Sequence, residues 1–196
     1  MGLYIHIPFC SRLCHYCDFV KTARFEAQGP EAYLRTIEAY ADAWIQALHQ
    51  QFPEGWAFDT LFFGGGTPSL LDEAYRPLMH KLRPWLRNSA ELTLEANPEH
   101  VTAEKLKVWA DLGINRLSLG VQSFQAQGLK FLTREHSPDA ARKAVALAAT
   151  FIPNLNIDLI YGWQGQELEH WSMDLQEAMS LDIKHLSLYT LTYEGR

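Results

Sequence analysis

Cysteine is scarce in this chain of 196 residues: there are three, and none lies beyond Cys17. An odd number bunched at one end excludes a disulfide framework, which is made in pairs and staples small secreted folds. Long apolar runs are missing too. The longest, Ala144 to Ile152, falls well short of the ~20 residues that a membrane-spanning helix requires. Positive charge is the third shortage, with 17 Lys and Arg against 23 Asp and Glu for a net charge of −6. A nonspecific nucleic-acid binder needs a basic face, so that class is excluded. The locally basic run from His80 to Arg87 reads as a solvated helix end. No charged-then-apolar secretion signal, repeat or low-complexity stretch stands out, so the expectation is one cytoplasmic domain over 1–196 with a sizeable core. That compartment keeps thiols reduced.

What the chain does have is concentrated near its start. Leu3 to Ile7 alternates as a strand does, Pro8 ends it, and Cys10, Cys14 and Cys17 follow in a loop. Three thiolates at a strand's exit suit an iron–sulfur cluster or zinc, because a soft metal centre selects sulfur and needs its ligands deprotonated and convergent. A 4Fe-4S cube takes four ligands, so three cysteines leave one iron open to something else. The alternatives are a zinc site completed by His15 or His6, and unligated buried cysteines.

Beyond the loop, strand and helix patterns alternate. Strands are expected at Phe58 to Phe63, Glu91 to Ala96, Ile114 to Val121, Asn154 to Tyr161 and His185 to Thr192. Gly29-Pro30 opens a long helix whose face reads Tyr33, Ile37, Tyr40, Trp44, Ile45 and Leu48, with its aromatic residues expected in the core. A second helix covers Asp72 to Leu86, interrupted by Pro77 and Pro84. Thr102 caps a third that Gly113 closes, and Ser137-Pro138 opens a fourth that runs to Phe151. The last carries Leu168, Trp171, Leu175 and Met179. Such alternation implies a parallel sheet joined by crossovers, and six strands with five helices make an open (β/α)6 partial barrel.

In parallel α/β folds ligands gather at the carboxyl ends of the strands. The cysteine loop, Gly64-Gly65-Gly66, Glu95 and Gln122 fall there, and Asp158 lies within the fifth strand. The triple glycine lets a ligand touch main chain directly. Glu95 at a strand end either faces solvent or receives hydrogen bonds from a ligand, and Asp158 in an apolar strand is costly unless hydrogen-bonded, as ribose hydroxyls could do. Each of these carboxylates has a structural alternative, the capping of a neighbouring loop.

The run Tyr4-Ile5-His6-Ile7-Pro8-Phe9-Cys10, the spacing to Cys14 and Cys17 with Tyr16 before the last cysteine, and Gly64-Gly65-Gly66-Thr67-Pro68 together resemble the radical S-adenosylmethionine (AdoMet) enzymes. The wording narrows the resemblance to the branch of oxygen-independent coproporphyrinogen III dehydrogenases and related haem chaperones. It implies an α/β partial (β/α)6 TIM-like barrel of the radical SAM type, with the last helix and the C-terminal domain missing. It also implies a 4Fe-4S cluster on Cys10, Cys14 and Cys17 and reductive cleavage of AdoMet at the open iron. Gly64, Gly65, Gly66 and Thr67 then meet the methionyl amino group, Arg134 its carboxylate, and Glu95, Gln122 and Asp158 the rest of the cofactor. Tyr4, Tyr16 and Ile160, with the backbone of Thr192, match further contact positions. No histidine is required as an acid or base, although His6 and His136 match motif positions.

Two departures bear on which member this resembles. Phe19 stands where the dehydrogenase loop continues Cys-x-Cys, and that enzyme's long segment before the cluster motif is missing, since Tyr4 is near the start. Both fit the chaperones better, which implies haem as a further ligand, apo-haemoprotein recipients and a one-electron reductant protein. A third departure changes a loop: relatives commonly read Gly-Leu-Pro-Gly-Gln-Thr, and this chain has Gly162-Trp163-Gln164-Gly165-Gln166-Glu167.

Overall fold

The alternating apolar stretches become six strands of one sheet, ordered β1 to β6 as they occur along the chain. They span Gly2–Ile7 (β1), Phe58–Gly65 (β2), Leu86–Ala96 (β3), Arg116–Gln122 (β4), Leu155–Tyr161 (β5) and His185–Thr190 (β6) in a computed structural model that describes residues 1–193. Neighbours are parallel throughout, so each connection has to carry the chain back along the sheet, and helices do most of that. They are Gly29–Gln51 (α1), Arg76–Leu82 (α2), Ala103–Asp111 (α3), Ala126–Phe131 (α4), Pro138–Phe151 (α5) and Leu168–Ser180 (α6). The result is the partial barrel expected from the sequence.

Period-two alternation explains which face does what. Ile5 and Ile7, Leu61 and Phe63, Leu92 and Leu94, Leu117 and Leu119, and Ile157 and Leu159 are all buried in the main core. Each such side chain contributes roughly 1.5–3 kcal/mol on leaving water. The intervening residues Tyr4, Phe62, Glu95, Ser118, Gly120 and Asp158 take the other face. One side of the sheet is therefore hydrocarbon, and the other offers polar groups to a ligand.

Three helix starts and stops follow the sequence. Thr102 Oγ1 accepts from the Lys105 N–H at 3.3 Å, Ser137 Oγ accepts from the Ala140 N–H at 3.1 Å, and Gly113 leaves α3 with φ +90°. Other expectations need correction. The stretch Asp72 to Leu86 is a single helix only over Arg76–Leu82, with a 3-10 turn on each side, because Pro77 and Pro84 each remove an amide donor. Tyr40 and Trp44 of α1 are not core residues: they are 63% and 66% exposed. The row touching the core is Tyr33, Ile37, Ala41 and Leu48, which leaves Tyr40 and Trp44 one row to the side.

The inward face of α6 also differs. Leu168 and Met179 are 83% and 78% exposed, while Asp174 and Ala178 are fully buried. Trp171 packs against the core beside them. The helix turns a carboxylate inward where an apolar stripe was expected. β3 begins at Leu86, earlier than the sequence suggests, and β6 ends at Thr190, so Thr192 lies beyond the strand.

Candidate functional site

Short hydrogen bonds fold the cysteine loop onto the carboxyl ends of β1 and β2. The Thr22 N–H donates to Pro8 O at 2.7 Å and the Cys10 N–H to Thr22 O at 3.0 Å, closing the loop at its base. From the next strand, the Gly66 N–H donates to Ile7 O and the Thr67 N–H to Phe9 O, each at 2.7 Å. Gly66 is what permits this approach. A Cβ there would lie 2.7 Å from Phe9 O, 2.9 Å from Ile7 O and 3.0 Å from Cys10 Sγ. The triple glycine thus serves the cysteine loop as well as the cavity.

Cys10 is buried, and Cys14 and Cys17 are half-buried. Burial pushes the Cys10 thiol up, against the pull of a hydrogen bond with Thr67 and the charge of Lys21. Arg134 approaches from the far wall: its Nη1 lies 3.8 Å from Cys14 Sγ, and its Nη2 donates to Asn97 Oδ1 at 2.5 Å and to Gly120 O at 3.0 Å. Its Nε is buried with no protein partner. Tyr16 is packed beside Arg134 and Cys14, and burial raises its hydroxyl pKa well above the usual value. Behind Arg134, buried His136 lies between two acceptors, Glu99 Oε2 at 3.2 Å and Val121 O at 3.0 Å. Burial opposes the Glu99 charge, but the contacts with His136 and Arg134 outweigh it and hold the carboxyl down to about 2.

Thiols and glycines open onto a cavity of about 570 Å³, which Glu95, Gly120, Gln122, Arg134, Asp158 and Ile160 also line. That volume suits a cofactor-sized ligand. Both carboxylates already have protein hydrogen-bond donors. Glu95 Oε2 accepts from the Gly65 N–H at 3.0 Å. Asp158 accepts from Ser118 Oγ at 3.1 Å and from Asn156 Nδ2 at 2.8 Å. Burial nevertheless pushes the Glu95 carboxyl up to about 7, with the Asp158 charge adding to the shift and the Gly65 amide opposing it. Burial raises Asp158 as well, while hydrogen bonds from Asn156 and Ser118 work downward.

Because the folded Glu95 pKa lies above the ordinary value of 4.5, folding loses stability as pH climbs from there through about 7. Glu95→Gln removes that loss. The ligand-free variant is expected to exceed the parent in stability at pH 8 by on the order of 2 kcal/mol. The gain should vanish below the unperturbed carboxyl range. Urea denaturation at pH 4 and pH 8 reads this directly, and an equal difference at both would contradict it.

Most of the residues singled out at the sequence level line the same cavity, Thr192 included, whereas Tyr4 and Gly64 are not among its lining residues. Gln122 ends β4 in a left-handed conformation, φ +70°, with its amide lying over Gly120. Tyr4 lies on the neighbouring strand face, stacked on Phe62 at 5.9 Å, and its hydroxyl bonds His6 Nδ1 at 3.1 Å. The histidines proposed for a zinc site are engaged elsewhere. His6 Nε2 bonds Val20 O at 2.7 Å, and His15 lies edge-on to Phe131 with its Nδ1 3.4 Å from Thr133 Oγ1. Among the described residues, no three His, Cys, Asp or Glu side chains converge on one ion. In a cluster each thiolate takes its own iron, so convergence on a single point is not required.

Sequence reasoning missed α4 and the carboxylate of Asp174. Helix α4 has only six residues, too few to show a period, and Gly128 in it argues against helix. A Cβ at 128 would meet Ser123 Oγ at 2.8 Å and the Trp163 ring at 3.0 Å, and no local pattern signals either contact. Trp163 belongs to a second small core with Leu132 and Ile160, against which Tyr16 packs. The departure at 162–167 is thereby absorbed, and α6 begins with the Glu167 N–H donating to His170 Nδ1 at 3.1 Å.

Known proteins share this fold. The profile of the Radical SAM superfamily matches residues 4–178. The chain belongs to that superfamily. A radical SAM protein is expected to hold a 4Fe-4S cluster and AdoMet, and the three cysteines such a cluster needs are present. This radical SAM chain is 38% identical over 198 residues to the heme chaperone HemW of Bacillus subtilis (strain 168), covering 98% of its own length and 51% of that protein. The heme chaperone HemW of Escherichia coli (strain K12) is likewise 38% identical, with 99% and 51% covered. Among solved structures, coproporphyrinogen III oxidase (HemN) from Escherichia coli superposes with a TM-score of 0.82 at 29% identity, over 98% of this chain and 44% of that one. The chain spans about half the length of the curated relatives it matches. No helix among the described residues is long and apolar enough to cross a membrane.

Proposed function

We propose that Cys10, Cys14 and Cys17 hold a 4Fe-4S cluster, that the adjoining cavity takes AdoMet, and that residues 1–196 form the cofactor-binding unit of a haem chaperone. The observation that carries the cofactor reading is the single cavity onto which three thiols, a triple-glycine turn, two strand-borne carboxylates and a guanidinium with an unpartnered Nε all open. When bound, the cluster supplies one electron and an iron with an open coordination position.

The chain's own residues supply placement. Gly66 removes the side chain that would press on the Cys10 thiol and the loop backbone, and Gly65, with φ +115°, leaves room for the His6 ring. Gly65 holds the Glu95 carboxyl through its amide, leaving Glu95 Oε1 for an amine or hydroxyl on a ligand. Arg134, fixed by Asn97 and Gly120 O, has Nε left for an anionic group. Tyr16, Ile160 and Trp163 close the apolar side against water. Arg134→Ala should weaken AdoMet binding by about tenfold, the worth of one charge-assisted bond, while iron and sulfide stay near the parental level. Calorimetric titration of the reconstituted protein measures this, and unchanged affinity rejects the role.

The haem reading is supported by the similarity to HemW. Against coproporphyrinogen oxidation stands Phe19, exposed where the dehydrogenase loop has Cys-x-Cys. Recipients are then apo-haemoproteins, with a one-electron donor protein reducing the cluster. Anaerobic reconstitution, iron and sulfide analysis, and electron paramagnetic resonance with and without AdoMet test the cofactor reading; tightly held zinc without sulfide ends it. Incubation of the reduced protein with AdoMet and coproporphyrinogen tests the rest, because protoporphyrinogen formation defeats the chaperone reading.

A further inference from the structure

Asp174 is the least expected residue in the fold: an acid on the buried face of a surface helix, with no exposed surface at all. A carboxylate in that position is costly unless donors surround it. It has three, all from one turn. Ser123 Oγ donates to Oδ2 at 2.8 Å, while the Phe124 N–H donates to Oδ1 at 2.8 Å and Gln125 Nε2 to Oδ1 at 3.1 Å. Ser123 Oγ in turn accepts from the Gln125 N–H at 3.0 Å, immediately before α4 begins. One side chain of α6 therefore ties down the whole exit of β4.

That exit connects two cavity residues. Gln122 precedes it in the left-handed conformation, with its amide over Gly120, and Arg134 follows at the far end of α4. The intervening segment also carries Phe131 and Thr133, which meet His15 in the cysteine loop. We propose that Asp174 is a positioning residue for the cofactor cavity: by gathering Ser123, the Phe124 amide and Gln125 it fixes the turn that places Gln122 on one side of the AdoMet site and Arg134 on the other. The cofactor half of this inference rests on the AdoMet reading above. Asp174 itself does not line the cavity, and it acts at the carboxyl end of β4 from a helix the cavity does not include.

Asp174→Ala and Asp174→Asn separate positioning from general support. In the cluster-free protein, Asp174→Ala is expected to speed amide exchange in Ser123 to Thr133 by about tenfold or more through local opening, with Leu117 and Leu119 of β4 unchanged. In the reconstituted protein, the AdoMet dissociation constant, read from the cluster's paramagnetic signal, should rise about tenfold or more, the usual scale for losing an outer-shell partner. Asp174→Asn keeps an acceptor for the Phe124 amide and should recover most of both. Leu106→Ala, which opens a cavity in the core beneath α3, is the stability control and should leave AdoMet affinity at the parental value. Unchanged exchange in Asp174→Ala overturns the proposal, as does parental affinity despite a loosened turn, or an equal loss of affinity in Leu106→Ala. A parental cluster signal that ignores AdoMet overturns the cofactor reading instead, and faster exchange then still upholds Asp174 as the anchor of the turn.

Discussion

Cys14→Ser protein, reconstituted anaerobically, is expected to retain only a small fraction of the parental iron and sulfide. A serine oxygen is a hard, protonated group at neutral pH and a poor substitute for thiolate toward iron in a cluster. The chain offers no spare, since all three of its cysteines are already in the loop. Nor can the nearby side chains step in: His15 is turned onto Phe131 and Thr133, and the neighbour of Cys14 Sγ is the cationic Arg134. The fold itself should survive, because Cys14 is only half-buried and lies outside the main core. Parental iron and sulfide in this variant would contradict the cluster assignment, and the far-ultraviolet circular dichroism spectrum checks that the chain is still folded.

Gly66→Ala is expected to act on both stability and cluster. Its Cβ would press on two main-chain oxygens, Phe9 O at 2.7 Å and Ile7 O at 2.9 Å, and backbone at the end of a strand cannot swing aside as a side-chain tip can. Relief comes only from separating the cysteine loop from the β2 exit, at the expense of the Gly66–Ile7 and Thr67–Phe9 hydrogen bonds. Overpacking of this kind costs about 1–3 kcal/mol. Either way Cys10 moves, since its sulfur is 3.0 Å from the same point. Urea denaturation together with iron per chain should show both losses, and a variant with parental values for the two would mean that the loop has more freedom than its contacts suggest. A cluster loss without a stability loss would place the strain in the loop alone.

Much of this site was legible because it depends on chemistry that short motifs display. Three cysteines in a loop, glycines at a strand exit and acids in apolar strands each break a pattern, and broken patterns mark ligand sites. What stayed hidden depends on partners far apart in sequence. The donors to Asp174 lie some fifty residues earlier in the chain, so period counting along α6 could only assign an apolar stripe. Helix α4 was hidden for a related reason: Gly128 is a poor helix former, and the space at its Cα is taken by Ser123 Oγ and by the Trp163 ring that arrives from the loop after β5. Glu95 and Asp158 were legible as unusual but not as already satisfied, because their donors come from the neighbouring strands and from Asn156 two residues upstream.

The strictly sequential order of the sheet has a consequence for synthesis. β1 and the three thiols that follow it leave the ribosome before the other strands, but Gly66, which lets the loop seat, comes only after β2, and the guanidinium beside Cys14 arrives only after α4. Folding that proceeds from the amino terminus as the chain emerges leaves those sulfurs waiting, without their enclosing walls, while most of the sheet is still being made. On the proposed cluster assignment, iron delivery follows translation of the middle of the chain, and until then the nascent polypeptide carries three open, oxidisable thiols.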